Sequence, residues 1–242
     1  MKIAAISDIH GNLAALEAVI DHVDTFRPDL VLVVGDIINR GPLSVPCWEL
    51  VRERATRDGW RLLYGNHEEY VLDCLRTEDQ HRPATYWTVL QMGRKRMRDI
   101  LPLPYSLVVP APDGSELRAY HGSVRHTRDG IYPWTTDKAL RKMVDPAASI
   151  FVTAHTHRPL LRWLAGLPVV NCGSVGAPFD GDVRASYAQI TWRSGRWAAD
   201  IVRVPYDRAR ADADFHDTGF FFVEPVAQVH FYEWYYARSL YP

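Results

Sequence analysis

Three short apolar runs constrain this chain more than any other feature. Lys2–Ile6, Leu30–Val34 and Trp60–Tyr64 are too short for helices and are bounded by polar residues or glycine, so each reads as a buried strand. Helical patterns lie between them. Asn12 is placed to cap a helix whose apolar positions Leu13, Leu16, Val19, Ile20 and Val23 recur at helical spacing. Pro46 suits the first turn of another helix, running to about Ala55. Strands alternating with helices predict an α/β fold with a largely parallel sheet.

The pattern changes further along. Glu68 to Ile100 is mostly helical, with a break at Pro83. Tyr105–Val109 and Leu117–His121 flank a Pro112-Asp113-Gly114 turn and predict a hairpin. A loop spans 122–135, and Thr136 to Val144 reads as a short helix. The strands expected next are Ser149–Ala154, Leu161–Leu164, Pro168–Asn171, Ser186–Trp192 and Trp197–Val204, and this half looks antiparallel. We therefore expect one domain over 1–205 and an aromatic extension over 206–242, with no Gly/Ser linker between them. The extension holds Phe220, Phe221, Phe222, Phe231, Tyr232, Trp234, Tyr235, Tyr236 and Tyr241. It either packs on its own domain or serves as a homodimer contact or a lid, since apolar patches left exposed mark interfaces.

Composition excludes several classes. The 28 Lys+Arg against 29 Asp+Glu leave no polycationic surface for nucleic acid and no acidic disordered tail. Three widely spaced cysteines, Cys47, Cys74 and Cys172, suggest a reducing compartment rather than a disulfide framework. No apolar run approaches the roughly 18 residues of a membrane span. The first residues are too short for a signal peptide. The expectation is a soluble cytoplasmic protein with no membrane or nucleic-acid partner.

Five short motifs follow strand ends: Asp8-Ile9-His10, Gly35-Asp36 with Arg40-Gly41-Pro42, Gly65-Asn66-His67-Glu68, His121-Gly122 and His155-Thr156-His157. Ligand sites in open α/β sheets gather at the carboxyl ends of strands, so five loops can converge. On extended backbone, residues i and i+2 point the same way, which gives Asp8/His10 and His155/His157 two donors each to one side. Carboxylate oxygen and imidazole nitrogen suit Mn, Fe, Zn or Ni. Two divalent ions against Asp8 and Asp36 leave positive charge over, a trap for an anion such as phosphate.

This ordered set resembles the calcineurin-like metallophosphoesterase superfamily, from Asp8 to the closing loop Asn171-Cys172-Gly173-Ser174-Val175-Gly176. The resemblance implies a four-layer α-β-β-α sandwich of two mixed sheets with a dinuclear centre at its edge. One metal would take Asp8, His10 and His157, and the second Asn66, His121 and His155, with Asp36 bridging. His67 would protonate the leaving oxygen or bind phosphate, and Arg40 would clamp phosphate. The implied activity is hydrolysis of phosphomonoesters or phosphodiesters by a hydroxide bridging the metals, on a small, nucleotide-like substrate. A protein serine/threonine phosphatase, a dinucleoside polyphosphate hydrolase or a non-catalytic scaffold are the alternatives. Arg125, His126 and Arg128 follow a ligand position and are candidates for a second phosphate or a substrate tail. Asn39 stands where relatives carry an Asp that orients the histidine equivalent to His67; a neutral amide stabilises imidazolium less. Cys172 replaces a usual Pro and reads as a quiet buried thiol.

Overall fold

In a computed structural model describing residues 1–223 and 225–240, two five-stranded sheets pack face to face. The strands are β1 (Lys2–Ile6), β2 (Leu30–Val34), β3 (Arg61–Leu63), β4 (Ser106–Pro110), β5 (Glu116–Tyr120), β6 (Ile150–Thr153), β7 (Leu160–Leu164), β8 (Leu167–Asn171), β9 (Ala185–Arg193) and β10 (Arg196–Val204). The helices are α1 (Leu13–Phe26), α2 (Ser44–Asp58), α3 (Asn66–Thr77), α4 (Pro83–Ile100), α5 (Asp137–Leu140), α6 (Arg208–Asp217) and α7 (Val226–Tyr236), with a 3-10 turn at Phe220–Val223. The first sheet runs β10-β9-β1-β2-β3 and the second β4-β5-β6-β8-β7.

Strand periodicity builds the layers. Along β1, Ile3 and Ala5 face the second sheet, where they meet Leu117, Val152 and Val170. Ala4 and Ile6 face the other way, into a core with Leu16 and Val19 of α1 and Trp48 and Val51 of α2. Both faces are covered, which is why these strands read as continuous apolar runs. Asn12 caps α1 as expected, accepting the Ala15 N–H at 3.1 Å. Phe151 and Val169 on the outer face of the second sheet meet Leu140 and Met143. That outermost layer is thin, because the helix expected over Thr136–Val144 is only the single turn of α5.

Other boundaries differ as well. The helical stretch from 68 to 100 divides ahead of Pro83 as expected, but the second helix also kinks at Gly93, which takes φ +65°. The later strands are not simply antiparallel: β5 pairs parallel with β6, and β6 with β8. Residues beyond β10 fold back on the body. Phe215, Phe220 and Trp234 bury themselves with Ala14 of α1 and Trp87 of α4. Tyr241 lies outside the described residues. Among the described residues no helix is long and apolar enough to cross a membrane.

Candidate functional site

All five motifs meet at one edge of the sandwich. Asp8 and His10 follow β1, Asp36 follows β2, and Asn66 and His67 open α3 after β3; His121 follows β5, and His155 and His157 follow β6. The backbone here is not extended. Asp8, His10, Asp36, Asn39, Arg40, His155 and His157 all have φ between +48° and +70°, seven of the twelve non-glycine residues with positive φ among those described. Such left-handed conformations cost energy in non-glycine residues and persist only where surroundings fix them. His155 and His157 therefore do not offer their donors to one side as expected: the two rings go to different groups of ligand atoms.

One group is Asp8, His10 and His157; another is Asp36, His121 and His155. His157 Nε2 lies 3.3 Å from Asp8 Oδ1, and His10 Nε2 lies 3.8 Å from that oxygen and 3.7 Å from Asp36 Oδ2. His121 Nε2 is 3.3 Å from Asp36 Oδ2. Asn66 Oδ1 sits between His121 Nε2 at 2.9 Å and His155 Nδ1 at 2.7 Å. Asp36 thus touches both groups.

The rest of the site holds these rings in place. His10 Nδ1 lies against the Asn39 carbonyl at 3.2 Å, His121 Nδ1 against that of Val34 at 2.8 Å, and His157 Nδ1 against that of Ala177 at 2.5 Å. Each carbonyl fixes Nδ1 as the protonated nitrogen and turns Nε2 inward, the usual outer support of a metal-ligating histidine. Phe179 stacks on His157 at 4.2 Å. Glu68, fully buried, accepts the N–H groups of Asp36, Ile37 and Gly65, each at 2.8 Å, and so ties the loop after β2 to the start of α3. Burial, then Asp36, pushes its carboxyl up to about 7. Gly65 is required because a Cβ there would strike Asp36 Oδ1.

The electrostatics fit a cation. Asp8 Oδ1 is buried and makes no hydrogen bond. Burial favours a neutral Asp36, yet His121, His67 and His10 hold its carboxyl well below the usual range. Burial disfavours charge on His121 too, but Asp36 and then Asp8 push it up to about 10. The carboxylates therefore stabilise positive charge between them. His10 and His155 remain neutral: burial, then neighbouring imidazoles, drives His10 well below 6.5 and His155 to about 4. Neutral imidazole and ionised carboxylate are the forms that bind a metal, so these residues fit one.

His67 and Arg40 stand at the rim. The His67 backbone N–H donates to Asp36 Oδ1 at 2.8 Å, and its ring packs edge-on to His10 at 4.7 Å. Arg40 is ion-paired with Glu233 of α7 and stacks its guanidinium on Phe179. Arg125 is not brought in: it is exposed and pairs with Asp129 at 2.5 Å. His126 is exposed, and neither residue lines a cavity at the site. Arg128 instead lines a cleft beside His67. Asn39 does not reach His67; its Oδ1 accepts the Thr88 hydroxyl at 3.2 Å and its Nδ2 donates to Thr85 at 3.2 Å. Cys172 is fully buried, and burial pushes its thiol up. Glu233 and His230 were missed because an aromatic tail gives no sign of which residues reach a site formed by loops far earlier in the chain.

Known proteins resemble this chain in sequence and in fold. The sequence profile of the calcineurin-like phosphoesterase family matches residues 1–183. A metallophosphoesterase structure from Sphaerobacter thermophilus superposes with a TM-score of 0.73 at 30% identity, over 94% of this chain and 99% of that one. An uncharacterized protein of Methanocaldococcus jannaschii is 28% identical over 86% of this chain and 89% of its own length. A symmetrical bis(5'-nucleosyl)-tetraphosphatase of Paracidovorax citrulli is 28% identical over 87% of this chain, which spans 63% of that protein. With the profile covering most of its length and the ligand motifs converging at one sheet edge, this chain belongs to the calcineurin-like phosphoesterase family of metal-dependent phosphoric ester hydrolases.

Proposed function

We propose that the centre holds two divalent ions and that the substrate is a small, nucleotide-like phosphoester. The observation that carries this is the sharing of Asp36 between two groups of buried ligand atoms. Asp8, His10 and His157 would hold one ion, and Asn66, His121 and His155 the other, with Asp36 common to both. Mn, Fe, Ni and Zn all suit this mixed nitrogen and oxygen set. When bound, such a pair activates water and draws charge from the phosphoryl oxygens. The chain's own groups do the rest. His67, whose ring lies edge-on to His10, would hold a proton for the leaving oxygen; burial lowers its imidazole to about 3, so the negative charge of a bound phosphoryl group has to raise it first. Arg40 at the rim offers a planar donor fork to the phosphoryl group, in exchange for its bond to Glu233. The tetraphosphatase relative supports a nucleotide-like substrate.

The test is reconstitution. The protein is stripped and loaded with Mn, Fe, Ni, Zn or Mg, and a p-nitrophenyl monoester is assayed beside a bis-p-nitrophenyl diester. Turnover should need metal, and metal analysis should give two ions per chain. Asp36→Asn should lower kcat by at least about 100-fold, in line with the loss of a group that stabilises transition-state charge. A single bound ion with full activity, or an active Asp36→Asn variant, defeats the dinuclear reading.

A further inference from the structure

The residues assigned above leave a cavity of about 500 Å3 beside His67 unexplained. Asn39, His67, Tyr70, Thr85, Arg128 and His230 line it. Its charge is unbalanced. Arg128 is exposed and forms no ion pair among the described residues; it lies over the Tyr70 ring, 5.8 Å from the centroid. Arg82, 5.9 Å from the same centroid, is neutralised by Asp79 at 3.3 Å and Asp73 at 3.9 Å. Arg40 is neutralised by Glu233. Arg128 is thus the cation at this wall left without a counter-charge.

Two of the residues lining it also carry an unsatisfied polar atom. His67 Nδ1 and His230 Nδ1 are buried and have no hydrogen-bond partner. Buried polar atoms without partners are rare in folded proteins and call for an explanation, a ligand among them. His230 comes from α7 and His67 from the start of α3, so the two histidines line one space from separate elements. A space lined by an unpaired guanidinium and two histidines has the chemistry of a phosphate subsite.

We infer that this cavity binds a second phosphoryl group on the leaving-group side of the substrate, with Arg128 as its counter-charge and His230 as a hydrogen-bond partner. The placement rests on the proposed function, which sets the reacting phosphate at the ligand cluster and the leaving oxygen at His67. The substrate class follows: the leaving group itself carries phosphate, as in a nucleoside diphosphate. With ADP, water's oxygen bonds to the terminal phosphorus and the bond to the bridging oxygen breaks. That oxygen leaves on AMP, giving AMP, inorganic phosphate and one proton.

The experiment compares wild type, Arg128→Ala and Arg128→Lys, each loaded with Mn. The ratio of kcat/KM for ADP to that for p-nitrophenyl phosphate should fall at least tenfold in Arg128→Ala and recover in part in Arg128→Lys. AMP binding by calorimetry should weaken by a similar factor in Arg128→Ala, while inorganic phosphate, which fills only the reacting position, weakens less. A ratio unchanged within twofold, equal AMP affinity in wild type and Arg128→Ala, or no AMP binding by wild type overturns the inference. The two readings fail separately. Absence of metal-dependent turnover on every ester counts against the proposed function, whereas AMP calorimetry judges the cavity without turnover.

Discussion

Asn39 is fully engaged without touching His67. Its Oδ1 accepts from the Thr88 hydroxyl and the Arg40 backbone N–H, and its Nδ2 donates to Thr85. Both residues nevertheless line one cavity. A carboxylate in place of the amide would favour the charged form of a nearby imidazole. Thr85 and Thr88 can turn their hydroxyls to donate to it, so the fold has no reason to reject it. Asn39→Asp should therefore make His67 a better proton donor and matter most for poor leaving groups. The rate gap between p-nitrophenyl phosphate and an alkyl phosphate should narrow by about tenfold, a part of the 10²–10⁴ general acids supply. An unchanged gap means that Asn39 does not act on His67. Residue identities at this scale were legible: Asp8, His10, Asp36, Asn66, His121, His155 and His157 sit together at the edge of the sandwich. Their backbone was not legible, because nothing in Asp-Ile-His or His-Thr-His signals that the flanking residues take φ near +50° to +67°. Only the packing of five loops against one another imposes it.

Helix α7 connects the tail to the chemistry. One face carries Trp234, 2% exposed, against Phe215 and the Tyr206 hydroxyl, which accepts its indole N–H at 2.8 Å. An adjoining position carries Glu233, 1% exposed, which holds Arg40 and accepts the Leu240 N–H at 3.0 Å. His230, one turn earlier, reaches the cavity beside His67. Loosening this helix should thus disturb stability and substrate handling together. Trp234→Ala removes a large buried side chain, a change that costs about 3–5 kcal/mol. For a chain of this size that is a fall in Tm of roughly 6–20 °C. KM for phosphate substrates should change in the same variant, since Arg40 loses its partner. Calorimetric melting and steady-state kinetics check both effects; a stability loss with kinetics unmoved would show that α7 is packing alone. The sequence did not reveal this helix. Aromatics stand at Phe231, Tyr232, Trp234, Tyr235 and Tyr236, with Tyr232, Tyr235 and Tyr236 still exposed, so hydrophobicity marks no single face. The opposite case is α1, where Leu16, Val19, Ile20 and Val23 alternate with polar residues and Asn12 caps the start.

At the scale of the molecule, the two sheets share one apolar interior and both send ligand residues to one edge. The first sheet contributes Asp8, His10, Asp36 and Asn66, and the second His121, His155 and His157. The first three strands were readable because local βα units join them. The partners of later strands were not: β9 pairs with β1 across most of the chain, with Ala188 opposite Ala5, and β6 slips between β5 and β8. Pairing over such separations leaves no local sequence mark. The same topology would make a bound metal a clamp on the fold. Ions held by residues of both sheets would bind the folded state and find no such site in the unfolded chain, so they would stabilise by RT ln(1 + [L]/Kd), about 4 kcal/mol at 1,000 times Kd. At roughly 2–4 °C per kcal/mol, saturating Mn should raise Tm by roughly 8–16 °C over the chelator-treated protein. Asp36→Asn, which weakens both ligand groups at their common member, should lose most of that increment, and its metal-free Tm should fall, because His121 loses the carboxylate that offsets its buried charge. A melting temperature indifferent to Mn in the wild type would mean that the ligand edge does not tie the sheets together, and that the interior between Ile3, Leu32, Val152 and Val170 holds them without help.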